Sequence, residues 1–155
     1  MAYRIQGLDP RLFRHLIGQS DGTLAAQSVR RCLVDATPGF PDRIAVRDLE
    51  VGETALLLNF EHQPAPTPYR ASHAIFIGEQ SDRPLDLVGA LPDAILRRPI
   101  SLRAFSAAGE MVDACLAPGT ELEPHILTML ERRDVACLHA HYAVRGCYAA
   151  RIVRA

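Results

Sequence analysis

From Arg30 onward the apolar residues recur at every second position, and this change of period constrains the fold more than any other feature of the chain. "RRCLVDA" (30–36), "RIAVRDL" (43–49) and "ETALLLNF" (53–60) read as strands, and the "TPGFP" and "EVGE" between them have turn chemistry. Connections this short join antiparallel neighbours, because a parallel crossover needs a dozen residues or more. "HAIFIGEQ" (73–80) reads as a further strand, and "ISLRAFSAAGEMVDACLAP" (100–118) as a hairpin turning at Ala108-Gly109. The segments 135–144 and 146–154 supply two last strands.

Helical signals are fewer. "DPRLFRHLIG" offers Asp9 as a cap, Pro10 at the first helical position and a stripe of Leu12, Phe13, Leu16 and Ile17. A second short helix follows with Ser20 as its cap, and "PDAILRR" (92–98) makes a helical turn at most. The clearest helix lies in "GTELEPHILTMLERR" (119–133), where Thr120 and Glu123 stand at capping-box spacing and Leu122, Ile126, Met129 and Leu130 form one face. With "YRIQGL" (3–8) as an opening strand, the order implies an α+β fold. A mainly antiparallel sheet carries two or three helices packed against it, in a single domain over 1–155.

Composition excludes several functions. A net charge of -1 leaves no basic field for a nucleic-acid backbone. The longest aliphatic run is "ALLL" (55–58), far short of a membrane span, and the first ten residues contain no apolar stretch of the secretory kind. A cytoplasmic protein is the expectation, with Cys32, Cys115, Cys137 and Cys147 as reduced thiols. No C-x-x-C pair, glycine-rich phosphate loop or nucleophile elbow occurs. All 17 basic residues are arginine, which rules out lysine Schiff-base chemistry. Anions in such a chain meet guanidinium forks, which suit carboxylates and phosphates.

Chemistry concentrates in two stretches. In "CLHAHYAVRGCYAA" (137–150) a strand places Cys137, His139 and His141 on one face, with the two imidazoles about 7 Å apart along it. His139 and His141 can converge on a divalent transition metal such as zinc, or act as two proton carriers on one substrate. The plainer alternative is a core hairpin whose histidines bond to the backbone. The place of Cys147 depends on the turn. A two-residue turn puts the thiol on the face opposite the histidines, and a three-residue turn puts it beside them. The second stretch is "PYRASHAIF" (68–76), where the proline-rich loop "EHQPAPTPYRAS" (61–72) ends on a strand. There Arg70 can clamp an anion beside Tyr69, and His73 can serve as general base or third ligand. His62, in the same loop, reads as solvent-facing. Asp35, Asp42 and Arg43 around "TPGFP" read as solvated charges at a turn rim.

These blocks are familiar as a set. "YRIQGLDPRLFRHL", "DATPGFPDR", "VGETALLLNFEHQPAPTPYRASHAIFI", "SLRAFSAAGEMVDA" and "LHAHYAVRGCYAARIVRA" together resemble a family of small bacterial proteins, domain of unknown function 1203. The resemblance supplies no activity. It emphasises Pro68, Tyr69, Arg70, His73, Phe76, Arg103, His139, His141, Gly146, Cys147, Tyr148 and Arg151. Two positions depart from it: Asp42 stands where a cysteine is usual, and Tyr142 where asparagine is. A metal accepts a carboxylate in place of a thiolate; a thiol nucleophile has no such substitute.

The expectation is a binding or processing protein for a small anionic molecule, a metal-assisted hydrolase or lyase in its most specific form. His73, His139, His141 and Cys147 would do the chemistry, with Tyr69, Arg70 and Arg151 on the substrate. The alternative is a non-catalytic binding or self-association module.

Overall fold

The computed structural model describes residues 1–155. It has two sheets where the strand pattern suggested one. The first, in the order β7-β1-β11-β10-β8-β9, comprises β1 (Tyr3–Gln6), β7 (Asp86–Val88), β8 (Pro99–Phe105), β9 (Met111–Pro118), β10 (Cys137–Tyr142) and β11 (Cys147–Arg154). Every pairing in it is antiparallel. The second, in the order β2-β5-β6-β3-β4, comprises β2 (Arg30–Leu33), β3 (Pro41–Asp42), β4 (Arg47–Asp48), β5 (Thr54–Gln63) and β6 (Ala71–Gly78). Its one parallel contact is between β3 and β6.

Each sheet buries its own apolar face. Leu102, Ala104, Leu138, Ala140, Ala150 and Ile152 of the first pack on Ile126, Met129 and Leu130 of α3 (Leu122–Glu131). In the second, Leu56, Leu58, Ile75 and Ile77 pack on Phe13, Leu16 and Leu24. Every fully buried side chain of this size contributes about 1.5–3 kcal/mol relative to exposure. Besides α3, the helices are short: a 3-10 helix over Pro10–Leu16, α1 (Asp21–Ala25) and α2 (Asp93–Leu96). None is long and apolar enough to cross a membrane.

The local reading succeeds or fails for identifiable reasons. Asp9 caps the first helix by accepting from Arg11 N, and Ser20 caps α1 by accepting from Thr23 N. The first helix, however, is 3-10. Its period of three buries Phe13 and Leu16 and leaves Leu12 and Ile17 outside. No capping box forms at Thr120: a 3-10 turn precedes α3, and Glu123 instead accepts the hydroxyl of Tyr3. Of the strand expected over 43–49 only Arg47–Asp48 forms, as β4; residues 43–46 are a tight turn between β3 and β4, with Val46 at φ 49°.

Asp42 causes that turn. Its buried carboxylate accepts from Ile44 N, Ala45 N and Gly78 N and from the Ser81 hydroxyl at 2.8–3.0 Å, so it is a structural hub and not a solvated rim charge. With those four donors on it, the carboxylate stands in for no ligand. Asp42→Ala strands four buried donors, each costing about 1–3 kcal/mol. A loss of roughly 4 kcal/mol in urea unfolding is expected, with Asp42→Asn intermediate because one acceptor oxygen survives. A loss below about 1 kcal/mol would show that these bonds do not hold the turn.

Candidate metal and anion site

β5 runs three residues further than its prolines suggested, to Gln63. The alternation Leu56, Leu58, Phe60 therefore continues to His62, which is 8% exposed and buried between the sheets, not solvent-facing. Phe60 lies opposite His73 on β6, and both strand ends cover the second face of the first sheet. On that face β10 presents His139 and His141. Four imidazoles thus meet at the junction of the two sheets.

Their geometry is specific. The Nε2 of His62 and the Nδ1 of His73 share one hydrogen bond of 2.7 Å. The Nδ1 of His141 lies 2.9 Å from the Gly146 carbonyl, which can only accept, so this ring carries its proton on Nδ1 and presents a bare Nε2. That Nε2 is buried and has no partner within the protein, and the same is true of His62 Nδ1 and His139 Nδ1. One ligand nitrogen from each of His62, His73 and His141 lies within 4.8 Å of the others. His139 borders the triad, its ring 5.6 Å from that of His62 and 6.3 Å from that of His141. The metal pairing expected of His139 with His141 is therefore replaced, in the compact triad, by His141 with His62 and His73. His62 also stacks on Tyr148, with centroids 5.1 Å apart and planes at 11°.

Burial keeps all four rings neutral. It lowers His62 to about 4, helped by the neighbouring His73 and Arg103. His139 falls to about 3 and His141 to about 2, burial again leading. His73 falls for the same reason, with Arg103 second. The rings are thus in the form that ligates a metal.

Cys147 does not join this face. β10 and β11 are connected by four residues, Ala143 to Gly146, and Tyr142 pairs with Cys147. A bulge at Ala149 shifts the register so that Tyr148, and not the thiol, stands opposite His141. Neither turn length considered from sequence occurs. Cys147 instead lines a cleft of about 710 Å3 together with Phe40, Arg43, His73, Arg98 and Tyr142. Its Sγ lies 3.1 Å from an Nη of Arg43, a guanidinium 1% exposed and not solvated as the turn suggested. The ring of Tyr142 is flanked by Arg43 at 5.0 Å and Arg98 at 4.9 Å. His73 belongs to both cleft and imidazole cluster, and so connects them.

The remaining expected residues lie apart. Arg70 is exposed and pairs with Glu61 at 2.7 Å, Tyr69 is 41% exposed, and neither lines the cleft. Arg151 is on the histidine face, directly opposite His139. Sequence reasoning undervalued His62, Arg43 and Arg98. The uninterrupted period of two through Phe60 was the available signal for His62; the two arginines had none.

Comparison with known proteins gives one match. The chain belongs to the family described as Protein of unknown function (DUF1203), whose model matches residues 39–154. All the histidines and cleft residues above fall within that span. No curated protein and no solved structure matches the chain.

The neutral histidines make a pH prediction for the metal-free protein. Their folded-state values lie below the ordinary 6.5, so the unfolded chain binds more protons at mildly acid pH. Their contribution to stability is complete above about pH 6.5 and is lost progressively as the pH falls toward about 4 and below. The melting temperature should drop several degrees between pH 7.5 and 5, and His139→Phe should shrink that drop. A melting temperature flat over the interval would contradict the burial of neutral rings.

Proposed function

We propose that the chain binds one divalent transition metal, zinc being the best fit, through His62, His73 and His141, and uses it to process a small anionic molecule by hydrolysis or elimination. The observation that carries this reading is the His141 ring: proton fixed on Nδ1 by Gly146, Nε2 bare, buried and within reach of two other imidazoles. Three neutral nitrogen ligands leave a fourth position open, the pattern of catalytic rather than structural zinc. Such a metal supplies a water nucleophile acidic enough to work near neutral pH, or polarises a carbonyl.

The chain's own residues do the rest. His62 and His73 would each turn a bare ring nitrogen to the metal, their shared hydrogen bond giving way and its proton remaining on the ring nitrogen that does not ligate. Gly146 orients His141 in the manner of an outer-shell carbonyl. His139, neutral and with its Nδ1 unpartnered, would donate a hydrogen bond to the bound molecule beside the triad. His73 opens the centre to the cleft, where Cys147, held by Arg43, acts on the substrate as nucleophile or soft ligand.

A second reading has one observation in its favour. β9 is an outer strand with an open edge, and Leu116 on it is 71% exposed, the arrangement that favours pairing with a second copy. Sedimentation that finds only monomer at high concentration would dispose of it.

The metal reading is tested by elemental analysis and zinc titration of protein never exposed to chelator. About one equivalent is expected, falling below roughly a tenth in His141→Ala and in His62→Ala. His139→Ala should retain most of the metal. Less than a tenth of an equivalent in the unaltered protein, with no high-affinity uptake on titration, would end this reading.

A further inference from the structure

We propose that Arg103 and Arg151 form an anion grip across His139, and that the molecule processed is a compact carboxylate or phosphate ester whose charged group sits about 7 Å from the reacting bond. The distance rests on the reading of His62, His73 and His141 as the working centre; the grip itself does not.

The grip follows from register. His139 on β10 lies directly opposite Arg103 on β8 and Arg151 on β11. Residues opposite one another in adjacent strands share a face, so the three form one rung, Arg-His-Arg, on the side of the sheet that holds the imidazoles. With strands about 4.8 Å apart, the two arginine backbones are about 10 Å apart, a span within the combined reach of two arginine side chains.

Both guanidinium groups lack a carboxylate. Arg4, Arg31, Arg47, Arg70, Arg98 and Arg132 each reach an Asp or Glu. Arg103, although half-buried, makes one long bond of 3.3 Å to the Ser101 hydroxyl, and Arg151 makes no side-chain bond within the protein. An unpaired cation that is partly desolvated costs free energy, which a fixed anion would offset. Between them lies His139, 4% exposed with an unpartnered Nδ1. Two guanidinium forks on the strands either side of one neutral imidazole would match the oxygens of a carboxylate or a phosphate. Arg103 acts electrostatically on all four histidines, which places it beside them and not at a remote edge of the sheet.

The next rung along the sheet is Ser101, His141 and Tyr148. Two residues of strand separate the rungs by about 7 Å. A molecule anchored on the first rung and reacting at the second is therefore small, with only a few bonds between its anionic group and its reacting carbon or phosphorus.

The test is calorimetric titration of the full chain with inorganic phosphate and, separately, with malonate, in chelator-treated and zinc-loaded protein. Binding of at least one anion to the metal-free protein is expected. Loss of one charge-assisted fork should weaken it about tenfold in Arg151→Gln and in Arg103→Gln, and the double variant should show no saturable binding. Arg151 is exposed, so its replacement leaves folding intact even if Arg103→Gln does not. Selective binding of phosphate or of malonate would identify the headgroup, and either supports the grip. Anion binding that depends on both arginines in a protein that takes up no zinc would uphold the grip while the metal reading fails. No binding of either anion, or binding that needs zinc and ignores both arginines, would overturn the grip and leave the metal reading standing.

Discussion

Arg43 is the residue on which the arrangement of the two sheets depends. Its backbone N–H donates to Phe76 O on β6 and its carbonyl accepts from Leu8 N, just past β1. Its side chain crosses to the other sheet, where Nε donates to Tyr148 O at 2.7 Å and one Nη meets Cys147 Sγ, while the other Nη donates to Pro41 O on its own side. Three segments remote in sequence, β11, β6 and the residues after β1, are thus tied to one residue, the first through a guanidinium that has no carboxylate on it. Removing a buried cation's partners, or the cation itself, costs several kcal/mol because the groups left behind are desolvated. The position of β11 over β5 and β6, and with it the meeting of His141 and Tyr148 with His62 and His73, follows from this clamp.

The histidine face is short of negative charge. Its charged groups are guanidinium groups and its imidazoles are uncharged; the buried carboxylate of Asp42 is committed to its own turn, Gly78 and Ser81, and that of Asp48 to Arg98. A metal held there would gain no neutralising carboxylate from the protein, which would make a water on it more acidic. An approaching anion, by contrast, enters a partly dry region of one sign, where attraction is little screened.

How much of this is legible in the sequence can be followed residue by residue. The period of two gave the antiparallel strands, and Leu122, Ile126, Met129 and Leu130 gave α3. That the strands divide into two sheets is invisible to a local pattern, since it depends on which partner each edge finds. The turn at 43–46 was missed because its apolar residues alternate like a strand while Asp42 folds the backbone back on itself. In the site, the shared face of His139 and His141 was legible because alternation is a local rule. His62 was obscured by the prolines after it, and Arg43 by the habit of charges at turns to face water. The family resemblance emphasised Arg103 and Arg151, but only the register of β8, β10 and β11 shows that they flank one histidine.

The bulge at Ala149 has a consequence for how such a site can change. Before the bulge the strands pair so that Ala140 meets Ala150; continued without it, the same register would set His141 against Ala149 and Ala143 against Cys147. Cys147 would then share the histidine face and Tyr148 would turn into the core. A slip of β11 by one residue against β10, with the connection shortened from four residues to three, would therefore exchange a phenol for a thiol beside the imidazoles, with no side chain substituted. The bulge thus decides, through register alone, whether a phenol or a thiol stands beside the imidazoles.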